Sequence, residues 1–200
     1  MTIQLIRLLA SIIAGGIVMI IHEFPKALIY NLMNPNQEKN RKRNIYKLHH
    51  YIDPIGMILC ATNQAGFSKP YMYRIKDKKT NLILGITGFI SLLITFAISI
   101  SVLKFGIGMG SNFAYSESIS MVQLILQCIL VYIALISLSM TIVNLFPIST
   151  FDIGLILAGT NPKQFYNIIR YDYFVKMILL LVVLFQLLTS LSTFIMSALL

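Results

Sequence analysis

The sequence contains no tryptophan, only two cysteines and only seven acidic residues in 200. Cys60 and Cys128 stand apart without C-x-x-C spacing, which excludes a disulfide framework and a thiolate metal knuckle; both read as buried free thiols. Charged residues make up 12% of the chain against 57% hydrophobic residues, and the mean hydropathy is +0.80. These values exclude an ordinary soluble domain and point to an integral, multi-pass membrane protein. The sequence also lacks internal repeats, and it has no low-complexity segment beyond its membrane bias. Ionisable groups inside hydrocarbon-length segments are costly and mark functional sites by default, so each of the few buried-looking carboxylates carries weight.

What is present is a set of long apolar runs. The sequence predicts an all-α polytopic fold, a single membrane domain over 1–200 with spans at about 3–28, 82–102, 119–145 and 177–200. The first run ends in Ile21-His22-Glu23-Phe24 rather than in small residues suited to cleavage, so it reads as a retained helix and not a signal peptide. Ala14-Gly15-Gly16 places small residues at its middle, where another helix can approach closely. Asn34-Pro35 breaks it. The loop 37–79 has a short apolar piece, Ile55 to Ala61, punctuated by Asp53-Pro54, Gly56 and Gly66. It predicts a re-entrant loop or short hairpin, with Asp53-Pro54 and Gly66 as turn chemistry. Gln123 and Gln127 share a face of the third span and read as interhelical amides.

The formal charge is +9, and ten of the sixteen basic residues lie between the first and second spans: Lys39, Arg41, Lys42, Arg43, Lys47, Lys69, Arg74, Lys76, Lys78 and Lys79. Concentration in one loop fits a lipid surface and the positive-inside rule, and not a nucleic acid. The loop is therefore expected to be cytoplasmic and the protein to reside in the cell membrane. The first span then ends inside, the second leaves, the third returns and the fourth leaves again. That order brings His22 and Glu23, near the end of the first span, to the same membrane face as Asp152, just past the third.

His22-Glu23-Phe24-Pro25-Lys26-Ala27 resembles H-E-x-x-H-A, the first motif of the site-2 protease family of intramembrane zinc metalloproteases, with Lys26 at the second histidine. Asn144-Leu145-Phe146-Pro147, followed by Asp152-Ile153-Gly154, is similar to the family's N-x-x-P-x-x-x-x-D-G, with Ile153 in place of a glycine. Ile52-Asp53-Pro54-Ile55-Gly56 and Gly66-Phe67-Ser68-Lys69-Pro70 resemble H-I-D-P-x-G and G-W-A-K-P of the family's small multi-spanning branch; Tyr51 stands where the histidine would be. In the second span, Gly85-Ile86-Thr87-Gly88-Phe89-Ile90-Ser91-Leu92 takes the place of A-G-P-x-S-N without its proline or asparagine. The resemblance covers roughly residues 15 to 160. It implies a site-2-protease-like core, zinc held by His22 and Asp152, Glu23 as the base acting on metal-bound water, and a transmembrane substrate or partner helix.

Lys26 departs from that scheme, because an ammonium has three donors and no lone pair for a cation. His49 or His50, a deprotonated Lys26, or substrate or water could complete a zinc shell. The alternative expectation is that Lys26 replaces the metal's charge, bridging Glu23 and Asp152 so that neither carboxylate is left isolated. Three functions follow: a homologue with lost or reduced proteolysis that binds a membrane partner, an active protease of divergent ligand set, or a small transport or proton-relay protein titrating His22, Glu23 and Asp152.

Overall fold

A computed structural model describes residues 3–35, 45–71, 77–106 and 121–199. Lys39, Arg41, Lys42, Arg43, Arg74 and Lys76 of the basic loop, and most of the connector before the third span, lie outside the described residues. Among the described residues seven α-helices run in order: α1 Ile3–Met33, α2 Pro54–Asn63, α3 Lys78–Ser101, α4 Met121–Asn144, α5 Asp152–Thr160, α6 Pro162–Leu184 and α7 Leu187–Leu199. By length and composition, α1, α3 and α4 can cross a membrane. A fourth span results if α6 and α7, which meet at a 59° bend, are counted together. These helices suggest a multi-pass membrane protein.

The bundle is built on α1, which packs against α2, α3 and α4, while α3 also packs along α5. Small residues set these approaches. A Cβ built on Gly15 would stand 2.9 Å from Cys60 Cβ, so the glycine pair of α1 is the seat of α2. Met19, Cys60, Leu92 and Met140 close the core between the four helices. Burial pushes the Cys60 thiol up to about 12, which leaves it an inert packing group.

Of the re-entrant loop or short hairpin expected between α1 and α3, the hairpin does not form among the described residues. Asp53 and Pro54 form a helix start: the Asp53 carboxylate accepts from the N–H groups of Ile55 and Gly56, both at 2.9 Å, and Pro54 fills the first helical position. A ten-residue helix results, followed by a stretch without regular secondary structure over 65–70. Among the described residues no strand forms. Asp53 is thus the N-cap of α2. Tyr51 just before it is buried and donates to the Ile45 carbonyl at 2.6 Å; burial pushes its phenol up to about 12.

Two helices also start or end beyond their expected bounds. α1 continues through Pro25 to Met33, where Asn34 turns back onto the Tyr30 carbonyl. The last span was expected from Met177, but the helix begins at Pro162, capped by Asn161, and breaks at Phe185-Gln186, where Gln186 takes φ 56°. At the start of α3, Asp77 accepts from Thr80, and these hydrogen bonds hold its carboxyl below the usual carboxylate range.

Candidate functional site: a lysine-centred charge cluster

The inner half of α1 turns His22, Glu23 and Lys26 into the bundle. Positions i and i+4 of a helix share a face, so His22 and Lys26 point the same way, and the side chain of Glu23 meets that of Lys26 one turn on. All three are buried, with Lys26 6% exposed, a low value for a cation that normally requires a paired charge. His22 lies eleven residues before the end of α1 at Met33, about 16 Å at helical rise. The centre therefore lies well inside the bundle, about three turns before α1 ends.

The fourth member comes from α5. Asp152 opens that helix, and its backbone N–H is taken by Asn144 Oδ1 at 3.3 Å while Asn144 Nδ2 donates to the Met140 carbonyl at 2.9 Å. Asn144 thus ties the end of α4 to the start of α5 and sets the position of Asp152. Pro147 is exposed in the connection between them. The approach of Asp152 depends on two glycines of α3. A Cβ on Gly88 would collide with the Asp152 carboxylate, and one on Gly85 would stand 2.6 Å from the Asp152 carbonyl oxygen.

The polar atoms form a closed ring. Lys26 Nζ lies 2.6 Å from Glu23 Oε1 and 2.9 Å from Asp152 Oδ1. His22 Nε2 lies 2.7 Å from Asp152 Oδ2 and 3.4 Å from Lys26 Nζ. On the other side, His22 Nδ1 is 2.7 Å from Ser68 Oγ, and the Ser68 hydroxyl donates to Glu23 Oε1 at 2.8 Å. The remaining oxygen, Glu23 Oε2, accepts from the Tyr71 N–H at 3.0 Å. Every carboxylate oxygen in the centre has a donor.

Ser68 and the Tyr71 amide were not singled out in the sequence. Both lie in the irregular segment after α2, where a hydroxyl in Gly-Phe-Ser-Lys-Pro looks like loop polarity until the fold lays it against α1. Ser68→Ala removes the group between His22 and Glu23 and leaves His22 Nδ1 only the longer contact to Glu23 Oε1 at 3.3 Å. It is expected to cost about 1–3 kcal/mol, read as a lowered midpoint in a thermal melt of the solubilised protein.

On the side toward the start of α3, aromatic rings cover the centre. Tyr71 meets Tyr30 at 6.0 Å and Tyr51 at 6.1 Å between centroids, and Tyr51 meets Phe24 at 6.5 Å. A cavity of about 10 Å³, space for a single water, lies under them beside Glu23, Lys26 and Leu155. His49 and His50 are exposed and stacked on one another with centroids 4.3 Å apart. The groups that reach His22 and Glu23 from this part of the chain are Ser68 and Tyr71.

Zinc, which the resemblance implies, does not fit this donor set. His22 Nε2 and Asp152 Oδ2, the two atoms that would face the ion, are bonded to each other, and the third corner holds an ammonium without a lone pair. Among the described residues no group of three or more His, Cys, Asp or Glu side chains could hold a metal. Comparison of the chain with family models, with curated proteins and with solved structures returns no match.

Proposed function

We propose that this chain is a divergent site-2-protease homologue in which the Lys26 ammonium stands where the family holds its metal. In this reading zinc-dependent proteolysis is lost, and the retained scaffold binds a membrane-spanning partner or substrate segment. The observation that carries it is the position of Lys26 Nζ between Glu23 Oε1 and Asp152 Oδ1. A cation there balances both carboxylates in a dry interior, as a divalent ion would, and holds α1 to α5.

The same contacts support the loss of hydrolysis in this reading. Glu23 could act as a base only with an oxygen directed at a nucleophilic water, yet Oε1 is taken by Lys26 and Ser68, and Oε2 by the Tyr71 amide. The cavity beside it has room for a water and none for a peptide. Binding of a partner helix would therefore use the outside of the bundle. The excess of basic residues between the first two spans supports a cytoplasmic position for the end of the bundle nearest the centre, in a cell membrane.

Metal analysis of the purified wild type beside Lys26→His, with a proteolysis assay on a membrane-spanning substrate for both, tests the reading. The wild type is expected to carry no stoichiometric zinc and to be inactive. Lys26→His restores a third imidazole or carboxylate donor beside His22 and Asp152 and is expected to gain zinc. Stoichiometric zinc in the wild type, or cleavage by it that a chelator abolishes, overturns the proposal.

A further inference from the structure

The polar first half of α6 has a composition that neither the charge centre nor the bundle core explains. Its buried side is Phe165, Leu179 and Val183. On the opposite side Lys163, Tyr166, Arg170 and Tyr173 follow one another at steps of three, four and three residues, which places them on one helical face. Tyr166 is 71% and Tyr173 79% exposed. The other charges of this stretch are satisfied: Asp172 accepts from Lys176 and from the Ser149 N–H, the latter at 2.7 Å. Lys163 and Arg170 have no ion pair among the described residues.

The same face continues downward as hydrocarbon. Met177 and Leu181 extend the row at the helical repeat and are about half exposed. The level of the row is fixed by α5, since a Cβ on Gly159 would stand 2.6 Å from the Lys78 carbonyl oxygen. Gly159 therefore lies beside the start of α3, at the end of the bundle that carries Asp77, Lys78 and Lys79, and α6 begins three residues later at Pro162. Cations and phenols at a helix end, passing without a break into a methylene-lined strip, match a lipid in both charge and shape: two positive groups and two hydroxyl donors for a phosphate, then an apolar track for acyl chains.

We propose that this outward face of α6 is the seat of an anionic phospholipid, with Lys163 and Arg170 holding its phosphate-bearing headgroup between Tyr166 and Tyr173, and Met177 and Leu181 receiving its acyl chains. The site is separate from the charge centre and does not depend on whether that centre ever binds metal.

The test uses the full chain, purified in detergent and titrated in parallel with phosphatidylglycerol and phosphatidylcholine, with bound lipid counted by native mass spectrometry. The wild type is expected to prefer phosphatidylglycerol. Lys163→Gln combined with Arg170→Gln lowers that affinity roughly thirtyfold, from the usual contribution of each basic residue at a lipid surface, and leaves phosphatidylcholine unchanged. Lys78→Gln combined with Lys79→Gln removes as much charge from the same end of the bundle and changes it by less than about threefold. Equal losses in the two double variants mean diffuse surface charge and overturn the proposal. So does an unchanged affinity in the α6 variant, or a parallel fall in phosphatidylcholine binding.

Discussion

Lys26→Met lowers the stability of the folded protein by about 3–5 kcal/mol, the usual cost of removing one partner from a buried ion cluster. Methionine matches the length and much of the volume of lysine, so the loss measures the charge and not a cavity. Without the ammonium, Glu23 and Asp152 are left facing each other's charge around His22 at low dielectric, since Nζ is the group lying 2.6 Å from one and 2.9 Å from the other. The effect should be largely reversed when Lys26→Met is combined with Glu23→Gln and Asp152→Asn. Removing all the charges together leaves hydrogen-bonding groups without an uncompensated ion. Thermal unfolding of the three proteins, wild type, single variant and triple variant, in the same detergent gives the comparison. If Lys26→Met melts with the wild type, the lysine does not hold the centre together.

A second large effect is expected at the contact between α3 and α5, where the sign of the change is informative. Alanine is favoured over glycine in an ordinary helix by about 1 kcal/mol, so Gly85→Ala and Gly88→Ala at neutral positions would stabilise. Here both should destabilise, by about 1–3 kcal/mol or more, because the added methyl has no room. The two differ in what they strike. Gly85 faces backbone, with the Asp152 carbonyl oxygen at 2.6 Å and the Ile156 amide nitrogen at 3.0 Å from a built Cβ; α5 itself would have to shift. Gly88 faces the Asp152 carboxylate, which could swing aside were it not fixed by His22 and Lys26. In an Asp152→Ala background the cost of Gly88→Ala should therefore shrink, while that of Gly85→Ala persists. Equal coupling at both positions would contradict the packing described.

Much of this arrangement was legible because membrane solvent makes simple demands. Three uncharged runs of sufficient length stand out, and the spacing of His22, Glu23 and Lys26 places them on one face of a helix from the sequence alone. The count of basic residues between spans brings Asp152 to the same end of the bundle as that face. The misses have physical reasons too. Asp53-Pro54 has the chemistry of a turn and of a helix start, and the two differ only in whether the following residues have something to pack on; Gly15 of α1 supplies it. The helical first half of α6 was hidden by its charges, although Asn161-Pro162 is a cap followed by proline at the first helical position. Ser68 had no local signal, since its partners are 45 and 46 residues away in the chain. Nor did the bend at Gln186 have one, because no glycine or proline marks it.

Closing the centre with a side chain has a consequence for how the protein matures. On the proposed reading, with Lys26 standing where a metal would, a polypeptide whose crosslink is synthesised along with it needs no ion delivered after insertion, and it can complete its assembly as soon as α5 reaches α1. Its abundance in the cell should then stay level when nutrient ions run short, unlike that of neighbours that wait for theirs.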